Sequence, residues 1–188
     1  MTASGVEDLD GQRLAVLGLG LENRALARFL GDHGLRFTAC DASPPVGFES
    51  LRAELDAAVE AWRLGSDYLQ GLEEFEVVFR TPGISALRPE LLQACQQGVR
   101  LHSQTRLFAA LCPALLIGVT GTKGKGTTAS LLTAILARDA GHRAWLAGNI
   151  GMPPISFLHE LTPQDRVVLE LSSFQLMDWD RSPQVALV

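Results

Sequence analysis

The sequence predicts an α/β protein: a Rossmann-like parallel-sheet N-terminal domain followed by a truncated P-loop-type α/β domain. Short apolar runs alternate with helical patterns along the chain, which is typical of parallel sheets covered by helices. A glycine turn follows the first apolar run, and the alternation restarts before a second glycine-rich loop at 120–128. The 188 residues suffice for two small domains, which we place at residues 1–102 and 103–188.

Apolar runs and helical spacing give the elements of each half in order. In the first half we predict strands at 13–17, 36–40, 76–79 and 99–102, a helix ending at Gly34, and helices at 51–64 and 89–97. In the second half we predict strands at 115–119, 143–146 and 166–171, a short helix after Pro154, and a buried strand at 184–188. A helix from 125 to about 140 would bury Leu131, Leu132, Ile135 and Leu136 and end at Gly141.

Composition and charge argue against nucleic-acid binding, secretion and a membrane-spanning segment. The net charge of -5 and pI of about 5.3 argue against a nucleic-acid surface, which needs clustered Lys and Arg. The polar residues 1–10 do not form a signal peptide, and the apolar stretch at 107–119 is too short to cross a bilayer. Three cysteines without metal-like spacing indicate reduced thiols. We therefore predict a cytoplasmic protein with no nucleic-acid or membrane partner.

The loop Thr120–Thr128 follows a strand and opens a helix, a context in which backbone amides form a cradle for phosphate. Lys125 would reach the terminal phosphates as a point charge. The strict P-loop pattern is not met, because Val119 and Gly126 occupy its first glycine and its hydroxyl positions. Thr127, Thr128 or a water molecule would then have to replace the missing Mg²⁺ ligand. The alternative is a glycine-rich turn with a solvated lysine.

Glu170 lies at the end of an apolar strand, between Leu169 and Leu171. Ligands of open α/β sheets bind at this edge. A charge in apolar surroundings is costly unless it meets a cation. The position therefore indicates a Mg²⁺ or lysine partner, with a purely structural ion pair as the alternative.

The first domain contains half of a dinucleotide fingerprint. Gly18-Leu19-Gly20 follows the first strand and Asp41 ends the second, but Asn23 stands where the third glycine belongs. The turn therefore fits an NAD site, the diphosphate of a UDP-sugar, or no ligand at all. Pro82 and Gly83 suit a type II turn, which on its own carries no function.

Taken in order, these motifs resemble the Mur ligase family, and within it the branch that adds D-glutamate. The resemblance covers nearly the whole chain and rests on Gly18–Gly20, Thr81–Ile84, Gly121–Lys125, Gly148–Gly151 and Leu169–Leu176. It implies an ATP-dependent ligase of peptidoglycan precursor synthesis that joins UDP-N-acetylmuramoyl-L-alanine to D-glutamate through an acyl-phosphate, with Mg²⁺. A third domain, which closes over the amino acid, would lie beyond Val188.

The resemblance also implies residue roles. Lys125 and Glu170 would be catalytic, and Glu170 and Thr127 would hold the metal. ATP would be bound by Gly121, Thr122, Lys123, Gly124, Lys125, Gly126 and Thr127. The UDP portion would be surrounded by Leu21, Glu22, Ala42, Ser43, Thr81 and Gly83, while the sugar-nucleotide would also face Asn149, Ser172 and Gln175.

Two other function classes stay open at this point. One is an NAD-dependent Rossmann enzyme, which the half fingerprint supports and the motifs of the second domain oppose. The other is a non-catalytic nucleotide-binding module.

Overall fold

The computed structural model describes residues 5–177 and 179–188, and the chain divides into two compact units, Met1–Gln104 and Thr105–Val188. Each unit is built on one sheet whose strands all pair in parallel. The predicted α/β class with parallel sheets is thus confirmed.

The sheet of the first unit has the strand order β3-β2-β1-β4-β5. Its strands are β1 (Leu14–Leu17), β2 (Phe37–Asp41), β3 (Val59–Leu64), β4 (Val77–Arg80) and β5 (Arg100–His102). Its helices are α1 (Leu21–Asp32), α2 (Glu49–Leu55) and α3 (Pro89–Gln96), with 3₁₀ turns at Val6–Leu9 and Leu72–Glu74. The strands β2 and β3 are added on one side of β1, and β4 and β5 are then added on its other side. The crevice between β1 and β4, at this switch point, is where open α/β sheets bind ligands.

The central strands are apolar on both faces, as expected of a parallel sheet covered on both sides. All four residues of β1 are buried, and the helix that follows packs Leu26 and Leu30 against the sheet without exposure. Gly34 then takes a positive φ of 71°, which lets the chain leave α1 in the left-handed region.

The predicted helix over 51–64 is wrong in its second half. Leu51 and Leu55 are buried at helical spacing and belong to α2, but Val59–Leu64 is the edge strand β3. It pairs in parallel with β2, with a register shift next to Phe37. The apolar spacing of α2 continues across the break, so sequence periodicity did not reveal the strand.

The sheet of the second unit has the order β7-β8-β6-β9. Its strands are β6 (Leu115–Val119), β7 (Ala144–Gly148), β8 (Arg166–Glu170) and β9 (Val185–Leu187). The helices are α4 (Gln104–Leu111), α5 (Lys125–Leu136) and α6 (Ser173–Leu176), with a 3₁₀ turn at Pro154–Glu160. The sequence did not predict α4. It did predict the strand β9, which pairs in parallel with β6, although the predicted burial is not seen at Val185, which is 42% exposed.

Helix α5 is shorter than predicted and buries only part of the predicted face. Ala129 is fully buried, and Leu132 and Leu136 are partly buried beside it, whereas Leu131 and Ile135 are 59% and 65% exposed. The helix ends at Leu136 and its C-cap is in the αR region, so Gly141 does not cap it. Because the apolar residues of this helix are not confined to one stripe, its periodicity could not select the buried face.

No helix within the described ranges is both long and apolar enough to cross a membrane.

Candidate functional site

In the first unit, the turns after β1 and β4 pack against each other. Gly18 has a φ of 83° and donates its amide hydrogen to the Cys40 carbonyl at 2.7 Å. A Cβ at Gly18 would lie 2.4 Å from Thr81 Cγ2, so only glycine allows this approach.

Asp41 joins the turns that follow β1 and β2. One carboxylate oxygen accepts the Leu19 amide at 2.6 Å, and the other accepts the Ser43 amide at 2.8 Å. The Leu19 amide, which a dinucleotide-type turn offers to a diphosphate, is therefore already bonded within the protein.

The six residues predicted to surround UDP all lie at the carboxyl edge of this sheet. Leu21 and Glu22 open α1, with Leu21 71% exposed and Glu22 half-buried. Ala42 and Ser43 follow β2 and are exposed. Thr81 and Gly83 follow β4, the first half-buried and the second exposed. The structure thus brings these residues to one edge, and their contacts with a ligand stay a prediction.

Arg80 is a buried charge at this edge that sequence reasoning missed. It is 1% exposed, and its Nη1 donates to the Ile84 carbonyl and, at 3.3 Å, to the Thr81 carbonyl. These two hydrogen bonds stabilise the Thr81–Ile84 turn. An arginine that ends an apolar strand just before a Pro-Gly turn was the signal in the sequence.

In the second unit, the loop 120–124 connects β6 to α5 with glycines where the backbone needs them. Gly121 and Gly124 have φ values of 131° and 78°, and α5 begins at Lys125. Thr120 fixes the base of the loop, because its hydroxyl donates to the Leu171 carbonyl at 2.8 Å and its amide to the Leu187 carbonyl at 2.9 Å. The amides of the following loop residues precede a helix N-terminus, as a phosphate cradle requires.

Lys125 and Glu170 lie side by side at the carboxyl edge of this sheet. Lys125 Nζ is 4.0 Å from Glu170 Oε1, and the side chains are 24% and 3% exposed. The other carboxylate oxygen, Oε2, is buried without a hydrogen-bond partner within the described part of the chain. A buried charged oxygen left unpaired is costly, and a bound cation would offset that cost.

The loop after β7 is fastened to the end of β8. The Asn149 amide donates to the Glu170 carbonyl at 2.8 Å. Gly148 has a φ of 103°, and a Cβ there would lie 2.2 Å from the same carbonyl oxygen. This glycine therefore lets β7 approach the residue that carries the buried carboxylate, while the exposed Asn149 side chain stays available.

Ser172 and Gln175 form a capping box at the start of α6. The Ser172 hydroxyl accepts the Gln175 amide at 3.2 Å, and the Gln175 side chain accepts the Ser172 amide at 3.0 Å. Gln175 is fully buried. Both side chains thus have a local structural role, and a contact of either with a substrate stays a prediction.

The residues present fit a metal ion that takes most of its ligands from phosphate and water. Within residues 5–177 and 179–188, no three His, Cys, Asp or Glu side chains gather into a metal-binding group. The unpaired oxygen of Glu170 is a suitable protein ligand, and Thr127 is exposed in the first turn of α5. Mg²⁺ typically takes one or two protein oxygens and fills its other positions with phosphates and water, so this set suffices.

Asp165 and Cys40 are among the titratable groups whose pKa values are shifted. Hydrogen bonds from Arg143, at 2.7 and 3.0 Å, lower the pKa of Asp165 to about 2. Asp165 precedes β8 and lies at the opposite end of that strand from Glu170, so this pair braces the sheet. Burial raises the pKa of the Cys40 thiol to about 12, which leaves it unreactive.

Comparison with known proteins shows which proteins this chain resembles. A family model described as Mur ligase MurD-like, N-terminal domain, matches residues 12–103. A UDP-N-acetylmuramoylalanine--D-glutamate ligase of Ruminiclostridium cellulolyticum is 40% identical over 182 residues, which are 97% of this chain and 39% of that protein. An enzyme of the same name from Acetivibrio thermocellus is 39% identical over 180 residues, covering 96% and 38% of the two chains. The chain thus spans about two fifths of the length of these relatives.

A solved structure of similar fold is the murein peptide ligase of Psychrobacter arcticus, with a TM-score of 0.50, 18% identity, and coverage of 94% of this chain and 42% of that one. At this identity the likeness supports the fold alone. The chain belongs to the Mur ligase family. Its first unit carries the MurD-like form of the N-terminal domain, and the relatives at about 40% identity are named as D-glutamate ligases.

Proposed function

We propose that this chain is the UDP-binding and ATP-binding part of a cytoplasmic, ATP-dependent D-glutamate ligase of peptidoglycan precursor synthesis. The matched relatives carry that name, and the activity belongs to a protein of their full length. On this proposal residues 1–102 bind the UDP portion of UDP-N-acetylmuramoyl-L-alanine, and residues 103–188 form the first part of the ATP-binding domain.

The observation that carries the proposal is the pairing of Lys125 with the buried Glu170 at the start of α5. The loop supplies amide donors for phosphate oxygens, and Lys125 supplies a positive charge next to them. Glu170 supplies a buried oxygen that lacks a partner among the described residues. Positive charge and a metal-binding oxygen at the same helix N-terminus favour an Mg²⁺-nucleotide over a plain turn.

Each group then has a definite task. Gly121–Thr127 hold the phosphates of ATP, with Lys125 on the phosphoryl group that is transferred to the substrate carboxylate. Glu170 and Thr127 hold Mg²⁺, which supplies charge neutralisation for that transfer when it is bound. Asn149, Ser172 and Gln175 contact the sugar-nucleotide that carries the carboxylate. The amine of D-glutamate attacks the resulting acyl-phosphate and releases phosphate.

Calorimetric titration of the chain with ATP and Mg²⁺ tests the nucleotide site. We expect Lys125→Ala to weaken binding about tenfold or more, because one charge-assisted contact to phosphate is lost. Glu170→Gln should reduce the dependence of ATP affinity on Mg²⁺. The exposed Arg138, which follows α5, provides a control, since Arg138→Ala removes the same charge outside the loop. Equal ATP affinity of Lys125→Ala and the wild type would refute the assignment.

The NAD-dependent alternative is tested by titration with NADH. The first unit argues against it in two ways. Asn23 fills the position of the third fingerprint glycine and is fully buried, and the Asp41 carboxylate is bonded to two amides instead of being free for a ribose. We expect no binding of NADH under conditions where the UDP-sugar binds.

A further inference from the structure

Asn23 connects the two strands that flank the ligand crevice of the first unit. Its Nδ2 donates to the Leu17 carbonyl at the end of β1, at 3.0 Å, and to the Phe79 carbonyl in β4, at 3.3 Å. The side chain is fully buried in α1. These strands are neighbours on either side of the switch point, so one side chain holds both walls of the crevice.

Asn23 bonds to the strands that lead into the two turns predicted to bind UDP. The first begins at Gly18, directly after Leu17, and the second begins at Thr81, two residues after Phe79. The Thr81 amide also donates to the Leu17 carbonyl, at 3.0 Å. The same carbonyl oxygen thus accepts from Asn23 and from the second turn.

Asn23 occupies this buried position at an energetic cost. Its Oδ1 is buried and has no hydrogen-bond partner within the described ranges. The side-chain amide cannot turn over to improve this, because Oδ1 would then face two carbonyl oxygens. A buried unpaired acceptor costs about 1–3 kcal/mol. The glycine of the usual fingerprint avoids that cost, but it offers no donor to either strand.

We propose that Asn23 is a positioning residue that sets the separation of the Gly18 and Thr81 turns, and thereby the affinity of the first unit for the diphosphate of a UDP-sugar. The side chain acts through the two strand ends and does not touch the ligand. This inference rests on the proposed function, since it presupposes that the crevice binds UDP.

The variant Asn23→Asp provides a pH-dependent test. A protonated carboxyl group is close in shape to the amide and donates one hydrogen bond, whereas the ionised form would repel both carbonyls. Burial raises the pKa of such a carboxyl group, so the change falls within a practical range of pH. UDP-N-acetylmuramoyl-L-alanine has no group that titrates between about pH 5 and 8, so a change in its affinity reports on the protein.

We expect the variant to bind this UDP-sugar within about threefold of the wild type near pH 5 and about tenfold or more weakly near pH 8. The wild type should bind equally at both values. Gln93→Glu, the same amide-to-acid change at an exposed position of α3, is the matched control and should follow the wild type. Circular dichroism at each pH shows whether the proteins are folded.

If Asn23→Asp does not fold, Asn23→Gly is used, which restores the fingerprint glycine and removes the donor. We then expect faster amide hydrogen exchange at Gly18 and Thr81, together with weaker UDP-sugar binding. Unchanged exchange and unchanged affinity in a folded variant would overturn the inference and leave the proposed function intact. A wild type that does not bind the UDP-sugar would overturn both.

Discussion

Gly148→Ala is expected to separate β7 from β8 and to disturb the candidate nucleotide site. The added Cβ would lie 2.2 Å from the Glu170 carbonyl oxygen and 3.0 Å from the carbonyl carbon and the amide nitrogen of the same residue. These are backbone atoms of a central strand, so they cannot move aside as a flexible side chain would. The Asn149 amide, which bonds to that carbonyl, would be displaced as well.

The expected loss of stability follows from three contributions. An alanine at a φ of 103° costs of the order of 1–3 kcal/mol. The hydrogen bond from Asn149 is worth about 1 kcal/mol. Removing the overlap between the added Cβ and Glu170 requires either backbone strain or a greater separation of β7 and β8. We therefore expect a decrease of about 2–4 kcal/mol in the free energy of unfolding of the second unit.

Urea denaturation followed by tryptophan fluorescence measures this decrease. A Trp62→Phe background removes the tryptophan of the first unit, so that Trp145 and Trp179 report on the second. Gly126→Ala is the matched control, since Gly126 lies in α5 and a Cβ there would have only Ile150 Cδ1 nearby, at 3.8 Å. The control should gain up to about 1 kcal/mol. Equal stability of Gly148→Ala and the parent would refute the reasoning.

Three further outcomes are expected. Gly126→Ser should preserve or tighten Mg²⁺-ATP binding in calorimetry, because the backbone is helical and the hydroxyl adds a metal ligand; loss of binding would contradict this. The pKa of Asp165 is lowered when folded, so its contribution to stability is present above about pH 4 and is lost as the pH falls towards 2. Asp165→Asn should therefore weaken the pH dependence of unfolding in that window, and an unaltered profile would argue against it. Residues 1–188 alone should not release phosphate from ATP in a D-glutamate-dependent way, since they span about two fifths of the length of the D-glutamate ligases they match and positioning two reactants can supply about 7–11 kcal/mol; such turnover would refute that expectation.

Local features of the sequence sufficed for most strands and for the glycine turns. Apolar runs predicted β1, β2, β4 and β6 to within a residue or two, because strands buried on both faces are apolar throughout. The sequence predicted a Mg²⁺ or lysine partner for Glu170; Lys125 Nζ lies 4.0 Å from its Oε1, and the metal stays a prediction.

Features that depend on tertiary pairing could not be predicted in this way. The edge strand β3 follows a short helix whose apolar spacing masks the break, and only its pairing with β2 identifies it. Similarly, the sequence marked Asp41 and Asn23 as parts of a fingerprint but gave no sign that their side chains bond to backbone groups of neighbouring turns. Such bonds join residues that are distant along the chain, so no local pattern encodes them.

The register between β6 and β8 sets the distance between Lys125 and Glu170. Val119 lies opposite Glu170 in this parallel pair, and adjacent strands are about 4.8 Å apart. A shift of one residue would turn the carboxylate to the other face of the sheet, and a shift of two would move it by about 6.6 Å. The loop from the end of α5 to the start of β7 does not enter this distance. Insertions and deletions in that loop are therefore expected to leave the spacing of the two charges unchanged, whereas one additional residue within β8 would turn the carboxylate to the other face of the sheet.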